Sequence, residues 1–205
     1  MTYLRTICLA AATMALSLIF NAGSASATVF CSTLSSPCTG TVYSKEAVIA
    51  LEVNPEVSPA SVLESAEFKM ECPKQNLKWI ITQKGSSTET VVVADQGLVF
   101  TGCPKSWNVV AQGSMEIHYT SAGSGTVTVS GIEAVYPEAS PQCVYKLGVG
   151  GAADLGTLTG GASPALKVSA VFKRSSGNVF TCGAETRWTA EFRVTTPTPL
   201  YVAAS

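Results

Sequence analysis

The stretch Leu166-Lys167-Val168-Ser169-Ala170-Val171-Phe172-Lys173 sets Leu166, Val168, Ala170 and Phe172 against Lys167, Ser169 and Lys173. Successive side chains of an extended chain point to opposite faces, so this alternation predicts a strand with one face buried. The same pattern recurs at Met115, Ile117 and Tyr119 against Glu116, His118 and Thr120, and at Ala190, Phe192 and Val194 against Glu191, Arg193 and Thr195. Further strand candidates lie at 48–53, 66–72, 77–83, 90–94, 98–101, 127–135 and 144–149. They are separated by turn-forming runs such as Lys84-Gly85-Ser86-Ser87 and Ser121-Ala122-Gly123-Ser124-Gly125. Only 59–67 reads as a helical turn or two. Many short strands with almost no helical periodicity predict an all-β fold, a disulfide-stapled antiparallel β-sandwich, over an α/β fold.

The chain begins Met-Thr-Tyr-Leu-Arg, continues as an apolar run at 6–20, and reaches the small residues Ala25-Ser26-Ala27. Arg5, the length of the run and the Ala-Ser-Ala ending together read as a secretory signal peptide over 1–27, cleaved after Ala27. The run is shorter than the ~20 residues needed to cross a bilayer. No membrane span is expected, and the mature chain, 28–205, is placed outside the cell, released or surface-associated.

Six cysteines remain in that mature chain: Cys31, Cys38, Cys72, Cys103, Cys143 and Cys182. An even count in an exported chain implies three disulfides. A zinc site is the competing reading, but the chain has no CxxC pair and its single histidine, His118, is far in sequence from every cysteine. A partial internal repeat selects the pairing. Val99-Phe100-Thr101-Gly102-Cys103 is followed by Trp107, and Val179-Phe180-Thr181-Cys182 by Trp188, each with one cysteine upstream in its own half. Two related β-units, at 40–120 and 121–205, are expected to be closed by Cys72–Cys103 and Cys143–Cys182, leaving Cys31–Cys38 as a local loop. Trp107 and Trp188 are expected to pack over the two bridges.

Composition excludes some functions. Charged residues make up 13% of the chain and the formal net charge is −1, becoming −2 once Arg5 is removed. No basic stripe is present to neutralise phosphates, so nucleic acid is not an expected partner. His118 is the only base available for a Ser-His-Asp arrangement, and its strand parity sets it on the solvent face with Glu116 and Thr120. No Gly-x-Ser-x-Gly elbow occurs. Glu64, Glu67 and Glu71 share a mixed-charge segment with Lys69 and Lys74, which reads as a solvated face. Asp95 and Asp154 lie within two residues of a glycine and read as turn aspartates. The glycine-rich stretch 148–156 lacks the Gly-Lys-Ser/Thr ending of a phosphate loop and reads as a flexible β-loop. Trp79 alternates with Leu77 and Ile81 toward the core. No catalytic residue, cofactor or metal ligand is assigned.

The Phe-x-x-Cys strand Phe100-Thr101-Gly102-Cys103, Gly113-Ser114-Met115-Glu116-Ile117-His118, Cys143-Val144-Tyr145, Asp154-Leu155-Gly156-Thr157-Leu158-Thr159-Gly160-Gly161 and the ending Pro199-Leu200-Tyr201-Val202-Ala203-Ala204-Ser205 together carry a resemblance. The chain resembles a large paralogous group of secreted β-rich proteins from soil actinobacteria. The likeness runs over most of the mature chain; it implies secretion and transfers no activity. The leading expectation is a non-enzymatic extracellular or cell-surface β-module, structural or binding an extracellular ligand or surface component. The alternative is a secreted hydrolase acting on polysaccharide through a carboxylate pair assembled by folding.

Overall fold

A computed structural model describes residues 27–96, 99–101, 103, 108–111, 114–121, 123–136, 139 and 141–205. The segment up to residue 26, on which the signal-peptide reading falls, and Trp107 lie outside them. The strands are β1 (Thr28–Cys31), β2 (Val48–Val53), β3 (Ser61–Glu64), β4 (Lys69–Cys72), β5 (Lys74–Ser86), β6 (Glu89–Asp95), β7 (Val99–Thr101) and β8 (Asn108–Ala111). They continue as β9 (Ser114–Ser121), β10 (Ser124–Val129), β11 (Ile132–Tyr136), β12 (Cys143–Leu147), β13 (Ala153–Thr159), β14 (Ala165–Ser176), β15 (Glu185–Thr196) and β16 (Tyr201–Ala204). One helical turn, α1 (Val179–Cys182), interrupts them.

The expected sandwich is corrected to a closed barrel. Eight antiparallel strands follow one another in the order β15-β2-β5-β6-β9-β10-β13-β14, and β14 pairs back onto β15 over Ala165↔Arg193 to Lys173↔Glu185. Closure needs curvature, and irregularities in the ladders supply it between Ile81 and Gln83, Ser124 and Gly125, Val127 and Thr128, and Val194 and Thr196. Glycine allows the tightest approach: a Cβ on Gly156 would stand 2.0 Å from the Lys167 carbonyl oxygen on the neighbouring strand.

The alternating positions face inward as the sequence requires. Ile49, Leu51, Leu77, Trp79, Ile81, Val91, Val93, Met115, Ile117, Val127, Leu166, Val168 and Phe192 are all buried in one continuous core. An eight-stranded barrel is just wide enough for its own side chains to fill it. Charged residues such as Lys78, Lys167, Glu191 and Arg193 occupy the outward positions. That polarity is the reverse of a membrane barrel, which carries its apolar band outside. Among the described residues no helix is long and apolar enough to cross a membrane.

One end of the barrel is covered by a ribbon of β1 and β16, paired from Thr28↔Ala204 to Cys31↔Tyr201. Phe30, Leu200 and Val202 enter the main core, while Val29, Cys31 and Ala203 form a small cluster of their own with Cys38 and Tyr201. The ribbon is fastened by Tyr119 N donating to Thr28 Oγ1 at 3.1 Å and by Val202 N donating to Gly123 O at 2.8 Å. Away from that end, the long strands β14 and β15 outrun the barrel. Ser176 and Lys173 of β14 pair with Val144 and Lys146 of β12, and Arg187 and Thr189 of β15 pair with Glu64 and Val62 of β3. A second sheet, β4-β3-β15-β14-β12-β11-β8, therefore shares two strands with the barrel.

Several local expectations change. The helical reading of 59–67 gives way to β3, because Ser61 and Leu63 are buried between β15 and β4. The single strand at 127–135 divides into β10 and β11 at Gly131, whose φ of 80° suits a turn. In the stretch 148–156 only the first half is a turn; β13 starts at Ala153 and pairs with β10 and β14, so Asp154 stands on a strand opposite Thr128. The two Phe-Thr-Cys segments also differ, since Val99–Thr101 is a strand and Val179–Cys182 is α1. The 120/121 boundary falls at the end of β9, and one barrel takes four strands from each side of it.

All three disulfides follow the expected pairing, Cys31–Cys38, Cys72–Cys103 and Cys143–Cys182, with Cα separations of 5.9, 4.3 and 5.4 Å. Trp188 sits between aromatic rings, 6.3 Å from Phe172 and 6.2 Å from Phe192, and donates its indole N–H to Ser61 Oγ at 2.7 Å.

Candidate functional site

His118 lies on the outer surface of β9. Its Nε2 is 3.2 Å from Thr128 Oγ1 on β10 and 3.5 Å from Glu116 Oε2, so its neighbours are a threonine and a glutamate. Glu71 is tied to Lys69 at 2.9 Å, and Glu67 accepts from Ser65 Oγ at 3.1 Å, which separates two of the three carboxylates on that segment into local contacts. Asp95 ends β6 opposite Trp79, which is fully buried. Among the described residues no three His, Cys, Asp or Glu side chains gather as a metal would need.

A cavity of about 600 Å³ opens beside the turn from Gly148 to Ala152, with Lys146, Val171, Lys173 and Arg174 on its walls. It lies where β14 leaves β13 for β12. The register places Glu133, Lys146, Lys173 and Glu185 in one row across four strands, and Lys146 is bridged to Glu133 at 3.0 Å. Lys146, Lys173 and Arg174 give this cavity a positive wall, which Glu133 and Glu185 in the same row offset in part.

The opposite flank of β14 and β15 combines more distinctive groups. Glu64 and Glu185 line one pocket of about 260 Å³ with Ser65, Ala66, Val171 and Arg187. Arg187 stands directly across the ladder from Glu64, and Glu185 is two residues along the same strand. Such diagonal neighbours on adjacent strands are about 7–8 Å apart. All three charged side chains are exposed.

The turn between β14 and β15 adjoins this pocket. Asn178 caps α1: its Oδ1 accepts from Phe180 N at 2.9 Å and its backbone carbonyl accepts from Cys182 N at 2.9 Å. Cys182 is bonded to Cys143, which anchors the turn to β12. Gly177 precedes it with a φ of 108°, and a Cβ there would meet Cys182 Sγ at 2.5 Å. Gly183 follows with a φ of 62°, and a Cβ there would strike Glu67 Oε2 at 2.0 Å, which sets the turn against the β3–β4 connection. Phe180 stands out from this scaffold with 86% of its surface exposed.

Sequence reasoning missed both features. The sequence pairs Phe180 with Phe100 as copies of one repeat and gives no sign of its exposure; Asn178, a residue type that favours helix caps, is the signal that could mark the turn. Glu64 and Glu185 lie in different parts of the chain, and the β3–β15 pairing alone brings them together. Comparison with protein-family models, with curated proteins and with solved structures finds no match.

Proposed function

We propose that this chain is an extracellular, non-enzymatic β-barrel module that binds its ligand on exposed turns. The observation that carries the reading is the packing of the barrel. Its interior is occupied by its own side chains and one end is covered by the β1–β16 ribbon, so recognition is left to the outside. Three disulfides suit an oxidising compartment, and the signal-peptide reading of 1–27 supplies the route. The test is a binding screen of the mature protein against glycans, apolar ligands and cell-envelope fractions, run beside hydrolysis assays on polysaccharides. Binding without turnover supports the module; turnover overturns it.

The alternative hydrolase draws its support from Glu64 and Glu185, two carboxylates on diagonal positions of adjacent strands that line one pocket. Their pocket lies on the outer face of a sheet with all three charged groups exposed, whereas glycosidic cleavage needs a cleft that seats the sugar between the two carboxyl groups. The module is therefore preferred. Reducing-sugar release that disappears in both Glu64→Gln and Glu185→Gln would reverse the preference.

A further inference from the structure

We infer that the β14–β15 turn is a saccharide platform on which Phe180 stacks against the face of a neutral pyranose ring, an assignment that rests on the surface-binding reading above. Phe180 is the most exposed large apolar side chain among the described residues, whereas Phe30, Phe172 and Phe192 are buried. Single exposed hydrophobic residues are common and by themselves mean little. What sets this one apart is the framework that holds it out. The Asn178 cap, the Cys143–Cys182 bond and two glycines with positive φ fix the backbone before any ligand arrives. A group already ordered loses little conformational entropy on binding.

The chemistry around the ring selects the ligand. From Ser175 to Gly183 the segment carries no charge, and Ser175, Ser176, Asn178 and Thr181 are exposed. Asn178 Oδ1 is engaged by Phe180 N, which leaves its amide NH2 for a ligand hydroxyl. An aromatic face is electron-rich, so it attracts the weakly positive C–H face of a sugar ring while hydroxyl and amide groups at its rim meet the sugar hydroxyls. Beside the turn, the Glu64, Glu185 and Arg187 pocket offers carboxylates and a guanidinium of the kind that hold vicinal diols. An anionic membrane surface would call for a cluster of lysines and arginines around the ring; Lys173, Arg174 and Arg187 at the base of the turn stand among Glu64, Glu67 and Glu185, and the turn itself carries none. A protein partner would call for a cluster of apolar anchors over about 800 Å² on each side, and Phe180 is the one large exposed apolar side chain among those described in the segment.

The experiment is affinity electrophoresis of the full mature protein through native gels containing a mixed-linkage β-glucan, xylan, galactomannan or starch. Phe180→Ala, Phe180→Trp and Glu64→Gln are run alongside, with melting temperatures recorded for each. The expected result is retardation by at least one polysaccharide, weakened tenfold or more by Phe180→Ala, kept by Phe180→Trp, and reduced severalfold by Glu64→Gln, all at unchanged melting temperature. Retardation equal in wild type and Phe180→Ala overturns the platform and leaves the surface-binding reading standing. No retardation in any of the four gels also overturns the platform. Binding to anionic vesicles or to an envelope protein in that case keeps the module and assigns it a different ligand, while polysaccharide turnover sinks both readings.

Discussion

Trp188 Nε1 and Ser61 Oγ meet at 2.7 Å in a region from which both residues are shielded, one on β15 and the other on β3. A buried donor without an acceptor costs more than the bond contributes, so Ser61→Ala should lower stability by about 1–3 kcal/mol, read from urea unfolding. A change below about 0.5 kcal/mol would mean the indole finds another acceptor at no loss. Tyr145, at the heart of the second sheet, carries a hydroxyl that burial pushes up to about 12, with the charge of Glu67 adding to the effect and Arg174 opposing it. The unfolded chain releases that proton near pH 10, the folded one near 12, so the stabilisation is complete below pH 10 and is lost as pH rises toward 12. Tyr145→Phe removes this dependence. The stability of wild type should fall relative to the variant between pH 10 and 12, and parallel curves would show that the hydroxyl titrates normally.

At the scale of elements, the barrel depends on close approaches that only glycine permits. A methyl group at Gly156 meets the backbone carbonyl of Lys167 on β14, an atom that cannot swing aside as a flexible side chain could. Gly156→Ala should therefore cost about 1–3 kcal/mol, measured by thermal or urea unfolding, although it adds a residue with better strand propensity than glycine. A neutral effect would show that β13 and β14 can part locally. The Cys72–Cys103 bond links β4 to the chain beyond β7 across a separation of 31 residues. Replacing both cysteines with Ala should destabilise the protein by about 2–5 kcal/mol while the other two bridges still form. Peptide mapping checks this, and a linkage between the remaining halves would show that the bridges are not local closures.

At the scale of the whole molecule, the segment that cleavage after Ala27 would leave at the N-terminus is part of the fold. β1 begins at the first residue after the expected cleavage point, and Thr28 is wholly buried with its hydroxyl accepting from Tyr119 N. A Cβ on Gly85 would stand 1.7 Å from the Thr28 carbonyl oxygen, so the β5–β6 end and β1 fit with no space between them. The exported protein should start at Thr28 and hold no free thiol. N-terminal sequencing and thiol titration in denaturant decide both points: a chain retaining Met1, or one with two reactive thiols, would contradict the secreted reading.

Alternation, punctuation and cysteine count were enough to determine an all-β chain, the inward side of β9, β14 and β15, and the presence of three bridges, whose pairing came instead from a Phe-Thr-Cys repeat that the fold builds in two different ways. Each of these depends on neighbours along the chain or on a parity of two, which local sequence records directly. The ring closure did not show, because Lys173↔Glu185 and Phe192↔Val53 are pairings chosen by how far a twisted, bulged sheet curves. The β3 strand was hidden for the same reason: four residues become a strand only when β15 and β4 offer backbone partners on both sides. The exposed Phe180 and the Glu64–Glu185 pocket belong to this second class. Burial and proximity are properties of the assembled surface, and Val-Phe-Thr-Cys reads alike whether a cap and a bridge turn it outward or a ladder draws it straight.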